Sequence, residues 1–172
     1  MSDDDNPMRE VLLEKVTVNI GMGEAGERLV QARKVLELLT NQKPITTISK
    51  TTNRDLGIRR GQEIGCKVTL RDDAAYDFLR RAFWTRDNKL AGYSFDPEGN
   101  FSLGIPDYTD FEGMRYDPAI GIIGMDINVT LKRRGKRVAV RRSLRRRMPH
   151  AQRVTRQEGM EFVRSKLNIE VV

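Results

Sequence analysis

Two stretches of this sequence hold residue types whose spacing could do chemistry, and the two chemistries differ. Gly21-Met22-Gly23-Glu24-Ala25-Gly26 fits the spacing G-x-G-x-x-G, in which glycines let the backbone approach a pyrophosphate and a following helix offers it free amides. Read alone, that turn makes the chain a dinucleotide-binding enzyme. From Lys132 to Gln157 there are twelve Lys and Arg residues and no Asp or Glu, and ten of the twelve are arginine. The planar fork of arginine donates two parallel hydrogen bonds to phosphate and is more weakly hydrated than an ammonium, so this block calls for a polyanion, nucleic acid above all. The rest of the chain holds 19 cations against 24 acids, so the formal charge of +7 comes wholly from this one segment.

Other reactive groups do not assemble into sites. Cys66 is the single cysteine and His150 the single histidine, which excludes an internal disulfide and a Cys/His zinc site. Cys66 falls on the inner face of a predicted strand. His150 lies among cations, with no acid in the block to orient it as a base. Asp107, Asp110 and Glu112 could attract Mg²⁺, but a solvated loop or an acidic contact for a basic partner is the stronger reading. No nucleophile can be paired with a base and no cofactor is implied, so the chain is not read as an enzyme.

The elements that must position these residues follow from length and periodicity. At 172 residues, 38% hydrophobic and 32% charged, the chain suits one domain with a sizeable core and extensions. No apolar run reaches 18 residues and the start MSDDDN is acidic, so neither a membrane span nor a secretory signal is expected and a cytoplasmic protein is. Alternation predicts strands over 11–21, 45–50 and 64–71, with further strands over 101–105 and 120–131. Helical spacing predicts helices over 27–40, from Asp72 or Asp73 to about Phe83, and after Thr155, where Thr155-Arg156-Gln157-Glu158 matches a capping box. Residues 51–62 have no period and read as a long mobile loop; the acidic, aromatic stretch between 105 and 120 reads as an ordered loop. The order β-α-β-β-α-β-β-α predicts an α+β fold with hairpins rather than repeated parallel crossovers. Residues 1–6 are expected to be a mobile acidic N-terminus, 7–131 a core RNA-binding domain, and 132–172 an Arg-rich extension with a C-terminal helix packed on or beside that core.

This layout weighs against a dinucleotide site. Parallel strands of dinucleotide-binding folds are apolar on both faces, whereas the first strand exposes Lys15, Thr17 and Asn19. Glu24 would place an anion in the turn meant for a pyrophosphate, and the second strand ends without an acid for the ribose hydroxyls. The glycines serve the chain reversal, with amides there still able to meet an RNA phosphate.

Lys15, Thr17 and Asn19 on the first strand and Lys67, Thr69 and Arg71 on the third face away from the helices. If the two are neighbours, one sheet face carries cations and small polar groups, with Gln42, Lys43 and Pro44 extending it. Such a face suits the backbone and shallow minor groove of A-form RNA. With only 6% aromatic residues and none on these outer faces, stacking of bases on the sheet is not expected.

At this point the residues carry a family likeness. Lys15-Val16-Thr17-Val18-Asn19-Ile20-Gly21-Met22-Gly23-Glu24, Asn41-Gln42-Lys43-Pro44, Gly57-Ile58-Arg59, Ile64 to Arg71, Gly99 to Ile105, and Tyr116-Asp117-Pro118 with Gly121 to Asp126 occur in the order and spacing of one family. The chain closely resembles the large-subunit ribosomal protein five family, the universal binder of 5S ribosomal RNA, from about Pro7 to the C-terminus. The segment after Leu131 is similar to the archaeal and eukaryotic branch. Asn41 departs from the pattern, which commonly has glycine there.

The resemblance implies an antiparallel sheet with helices packed on one side, seated in the central protuberance of the large subunit. It implies 5S rRNA contact through Lys15, Asn19, Gly21, Gln42, Lys43, Pro44, Lys67, Thr69 and Arg71. Lys50, Arg54, Arg59 and Arg60, in the 50–62 loop, are implied to approach P-site tRNA. Arg133, Arg134, Lys136, Arg141, Arg142, Arg145, Arg146 and Arg147 are expected to make additional contacts to large-subunit rRNA. The implied protein partners are a neighbouring 5S-binding ribosomal protein and a small-subunit head protein across the subunit interface, with no membrane and no metal. A dinucleotide-binding enzyme using Gly21 to Gly26, and an RNA chaperone outside the ribosome, are the alternatives.

Overall fold

Val16, Val18 and Ile20 alternating with Thr17 and Asn19 give a strand one dry and one wet face, and Val11–Gly21 forms strand β1. The computed structural model describes residues 6–24 and 26–172, so the acidic start, apart from Asn6, and Ala25 of the glycine-rich turn lie outside the described residues. Helix α1 (Glu27–Thr40) follows, then strands β2 (Ile45–Ile48) and β3 (Glu63–Leu70), helix α2 (Asp72–Trp84) and a two-residue strand β4 (Lys89–Leu90). Next come strands β5 (Phe101–Ile105) and β6 (Met125–Arg133), the one-turn helix α3 (Arg137–Val140), helix α4 (Arg156–Leu167) and strand β7 (Glu170–Val171).

Five strands make one antiparallel sheet in the order β2-β3-β1-β6-β5, the α+β arrangement read from the sequence. The longest strand, β1, sits at the centre, and Glu14 is an extra residue between the pairs Leu13–Leu131 and Lys15–Thr130. The dry face carries Val16, Val18, Ile20, Val68, Ile127 and Val129 into one core with Leu36 and Leu39 of α1 and Phe78, Leu79 and Phe83 of α2. Each such side chain contributes about 1.5–3 kcal/mol by leaving water. Phe162, Val163 and Ile169 join the same core from the C-terminal end.

α1 ends where Asn41 adopts φ 51°, its amide donating to the Glu37 carbonyl at 2.8 Å. This is the left-handed cap that glycine takes most easily and asparagine next, so the departure at Asn41 keeps the turn. The capping box is present: the Glu158 amide donates to Thr155 Oγ1 at 3.4 Å and the Thr155 amide to Glu158 Oε2 at 2.9 Å.

Four expectations are corrected. β2 stops at Ile48, because a register shift after Thr47 turns the chain out of the ladder. Residues 120–124 stay outside the sheet: Ile120 and Gly121 both donate to Asp117, Gly121 takes φ 72°, and β6 instead continues to Arg133 opposite Val11. The 51–62 stretch is a hydrogen-bonded extension of the β2–β3 hairpin, with Asn53 and Ile58 exchanging bonds of 2.8 and 2.9 Å and Ser49 donating to Gln62 at 2.8 Å. Finally, α3 and the parallel β4–β7 pair were not expected; there the Glu170 amide donates to Asn88 and the Val172 amide to Leu90.

Candidate nucleic-acid interface

The wet face of the sheet is built in rows, because antiparallel register places partners side by side. One row runs Ile45, Lys67, Asn19, Asp126, Gly104 across all five strands. The next runs Thr69, Thr17, Asn128, Ser102. The two amphipathic strands singled out in the sequence are therefore neighbours, and Lys67 stands directly opposite Asn19. Lys15 lies farther along β1 opposite Thr130, and Arg71 is exposed just past the end of β3. Gln42 and Lys43 are exposed beside the entry to β2, while Pro44 between them and the strand is buried.

Close approach also needs room. Gly65 faces Gly21 across the β1–β3 pair, and a Cβ on Gly65 would come 2.7 Å from the Ile20 carbonyl oxygen and 2.9 Å from Thr47 Oγ1. Only glycine fits there, so no side chain rises from β3 at this position.

Two residues of this face were missed from sequence. Asp126 sits opposite Asn19 and adds an anion toward the β5 edge; the alternation of Met125 to Thr130 could have revealed it. Ile45, 67% exposed, adds an apolar spot next to Lys67. The face thus carries Lys67 on β3 and Lys15 on β1, with Asp126 as the acid on β6 beside Asn19.

Lys50, Arg54, Arg59 and Arg60 are all exposed around the extended hairpin, away from the core. The glycine-rich turn is committed elsewhere: the Met22 and Gly23 amides both donate to the Ile64 carbonyl, at 3.0 and 2.9 Å. A pyrophosphate would find those donors occupied, and β1 has antiparallel neighbours on both sides instead of the parallel neighbour a dinucleotide fold requires. Cys66 is fully buried, and burial pushes its thiol up to about 11 against the opposing pull of Arg33. A thiol held protonated is no nucleophile. Asp107 accepts from the Thr109 amide at 3.1 Å, and no group of three or more His, Cys, Asp or Glu among the described residues could hold a metal ion.

The arginine block divides in two. Glu10, Glu14, Glu98 and Glu158, remote in sequence, pair with Arg134, Lys136, Arg153 and Arg133 respectively. Arg133 is the most enclosed, its side chain 10% exposed and bonded to the Glu158 carboxylate. It ties β6 to α4. Arg141, Arg142, Arg145, Arg146 and Arg147 remain exposed with no acidic partner among the described residues; Arg141 donates to the Leu144 carbonyl.

An antiparallel sheet with one polar face, a cationic hairpin and a bare arginine run defines an α+β protein suited to binding a polyanion. Residues 6–59 match the family model described as Ribosomal protein L5, and residues 63–162 match the model of the same family's C-terminus. The large ribosomal subunit protein uL5 of Picrophilus torridus is 49% identical over all of this chain and 98% of its own length. That of Thermoplasma volcanium is 48% identical over 97% of this chain and 99% of its own, and that of Sulfurisphaera tokodaii 48% over 97% and 95%.

The chain belongs to the ribosomal protein L5 family: it is a ribosomal protein of the cytoplasm and not an enzyme. The matches to these archaeal relatives run through the segment after Leu131. No helix among the described residues is long and apolar enough to cross a membrane.

Proposed function

We propose that this protein is a positional component of the large subunit that holds 5S rRNA on the wet face of its sheet. The observation that carries the reading is the row Lys67–Asn19 between Ile45 and Asp126, flanked by Thr69 and Thr17. Lysine and amide donors set on rigid strands reach phosphate oxygens and 2′-hydroxyls without needing a particular base. Lys15, Gly21, Gln42, Lys43 and Arg71 complete the contact. Lys50, Arg54, Arg59 and Arg60 on the hairpin approach the P-site tRNA, and the bare arginines from 141 to 147 hold large-subunit rRNA. A neighbouring 5S-binding protein and a protein of the small-subunit head complete the set of partners, in the central protuberance.

Titration of the protein with 5S rRNA at rising salt tests this. The expected outcome is a fall in log K of about 0.7–0.9 per neutralised phosphate against log salt, with preference over an unrelated RNA of equal length. Equal affinity for both RNAs at every salt concentration refutes the reading.

A further inference from the structure

Three of the bare arginines border a cleft of about 680 Å³, within the range of sites that take small organic groups. Its lining is of two kinds. Leu131, Ala139, Met148 and Val154 supply apolar surface, while Arg145, Arg146 and Arg147 supply charge. A plain phosphate patch has no need of the first. Gln152 also lines the cleft, and its side-chain amide makes no hydrogen bond among the described residues, leaving a donor and an acceptor free.

A cation held in place by packing belongs to the cleft as well. Arg133, whose side chain is nine-tenths buried, lines the same cleft, and its Nε–H is the one buried side-chain polar atom among the described residues without a partner. Its other nitrogens are engaged, one by Glu158 and one by the Ala151 carbonyl at 3.4 Å. Arg133 thus adds a fixed positive charge to the cleft wall, while its Nε–H is itself sealed from anything the cleft holds. The surrounding cations select an anionic molecule, and the apolar lining selects one with a flat, poorly hydrated part.

We infer that this cleft receives one unstacked nucleotide of ribosomal RNA. Its base lies on Met148, Val154 and Leu131, its edge meets Gln152, and its flanking phosphates meet Arg145 to Arg147. Guanidinium planes stack on bases as aromatic rings do, so a site without aromatics can still grip one. This extends the arginine block's role from neutralising a backbone to registering one base. It rests on the reading of the chain as an RNA-binding ribosomal protein, but it is independent of the sheet face.

The test uses the full chain and three probes of matched charge: single-stranded RNA tetramers, the abasic ribose-phosphate tetramer, and an acidic peptide. Base-bearing tetramers should bind at least about tenfold tighter than the abasic one, as stacking of a single base allows. Met148→Ala and Gln152→Ala should bring that ratio to within about twofold while leaving 5S rRNA affinity and the urea midpoint unchanged. A 4-thiouridine tetramer should cross-link to unaltered protein between residues 145 and 154, which decides the matter even where a variant is destabilised. Equal binding of the abasic tetramer or the peptide, or cross-links confined to β1 and β3, overturns the proposal. Failure of the sheet-face reading shows separately, as lost preference for 5S rRNA with the base-to-abasic ratio intact.

Discussion

Gly159 of α4 meets Gly99 backbone to backbone: a Cβ on Gly159 would fall 2.5 Å from the Gly99 carbonyl oxygen and 2.8 Å from its Cα. The turn before β5 is equally closed from its own side, since a Cβ on Gly99, at φ 70°, would fall 2.7 Å from the Thr155 carbonyl oxygen. This contact seats the start of α4 on the domain and so fixes the frame of the arginine cleft.

Gly159→Ala separates this packing from helix propensity. Alanine in an open helix position gains about 1 kcal/mol over glycine. Here overpacking should dominate, with a net loss of roughly 1–3 kcal/mol in urea denaturation. A gain in stability would show that α4 is loosely seated.

Arg133 should act on stability more than on affinity for RNA. Arg133→Met removes a guanidinium tied to Glu158 and Ala151 and leaves the Glu158 carboxylate with only its cap bonds. The expected cost is roughly 1–3 kcal/mol, with a double-mutant cycle against Glu158→Gln showing clear coupling. An unchanged melting temperature would contradict the tie.

Cys66 gives a pH dependence of fixed sign. The fold holds the thiol protonated up to about 11, above its ordinary value of 9.0. As pH rises from about 9 to 11 the unfolded chain releases that proton first, so the stability present below this window is progressively lost. The wild-type minus Cys66→Ala difference in unfolding free energy should shrink over that interval, and alkylation of native protein at about pH 8, below the ordinary thiol value, should be slow. Rapid native labelling under those conditions would contradict the burial.

The sheet and the hairpin should separate in binding. Lys67→Ala or Arg71→Ala should weaken 5S rRNA binding more than Arg59→Ala, because only the first two border the sheet face. Filter binding at one fixed salt concentration measures this; equal losses from all three would mean that the hairpin also contacts 5S rRNA.

How far the sequence alone reached depends on whether information was periodic. β1, α1 and the Thr155–Glu158 cap announce themselves through alternation, 3.6-residue spacing or a short fixed motif, and their bounds or bonds are the observed ones. β4 and β7 are two residues each and stabilise one another only across the long stretch of chain between Leu90 and Glu170, so neither has a period to read. The ion pairs of the arginine block were hidden for a related reason: Glu10, Glu14 and Glu98 reach it only once the sheet has formed. Along the wet face, Lys15, Asn19, Lys67 and Thr69 were legible from alternation, whereas the burial of Pro44 and the unpartnered Nε of Arg133 are properties of packing.

The most direct measurement is a side-chain-resolution map of the large subunit carrying this protein. The account predicts 5S rRNA phosphates or 2′-hydroxyls within hydrogen-bond reach of Asn19, Lys67 and Thr69. Density for polypeptide or only solvent over that face would contradict it.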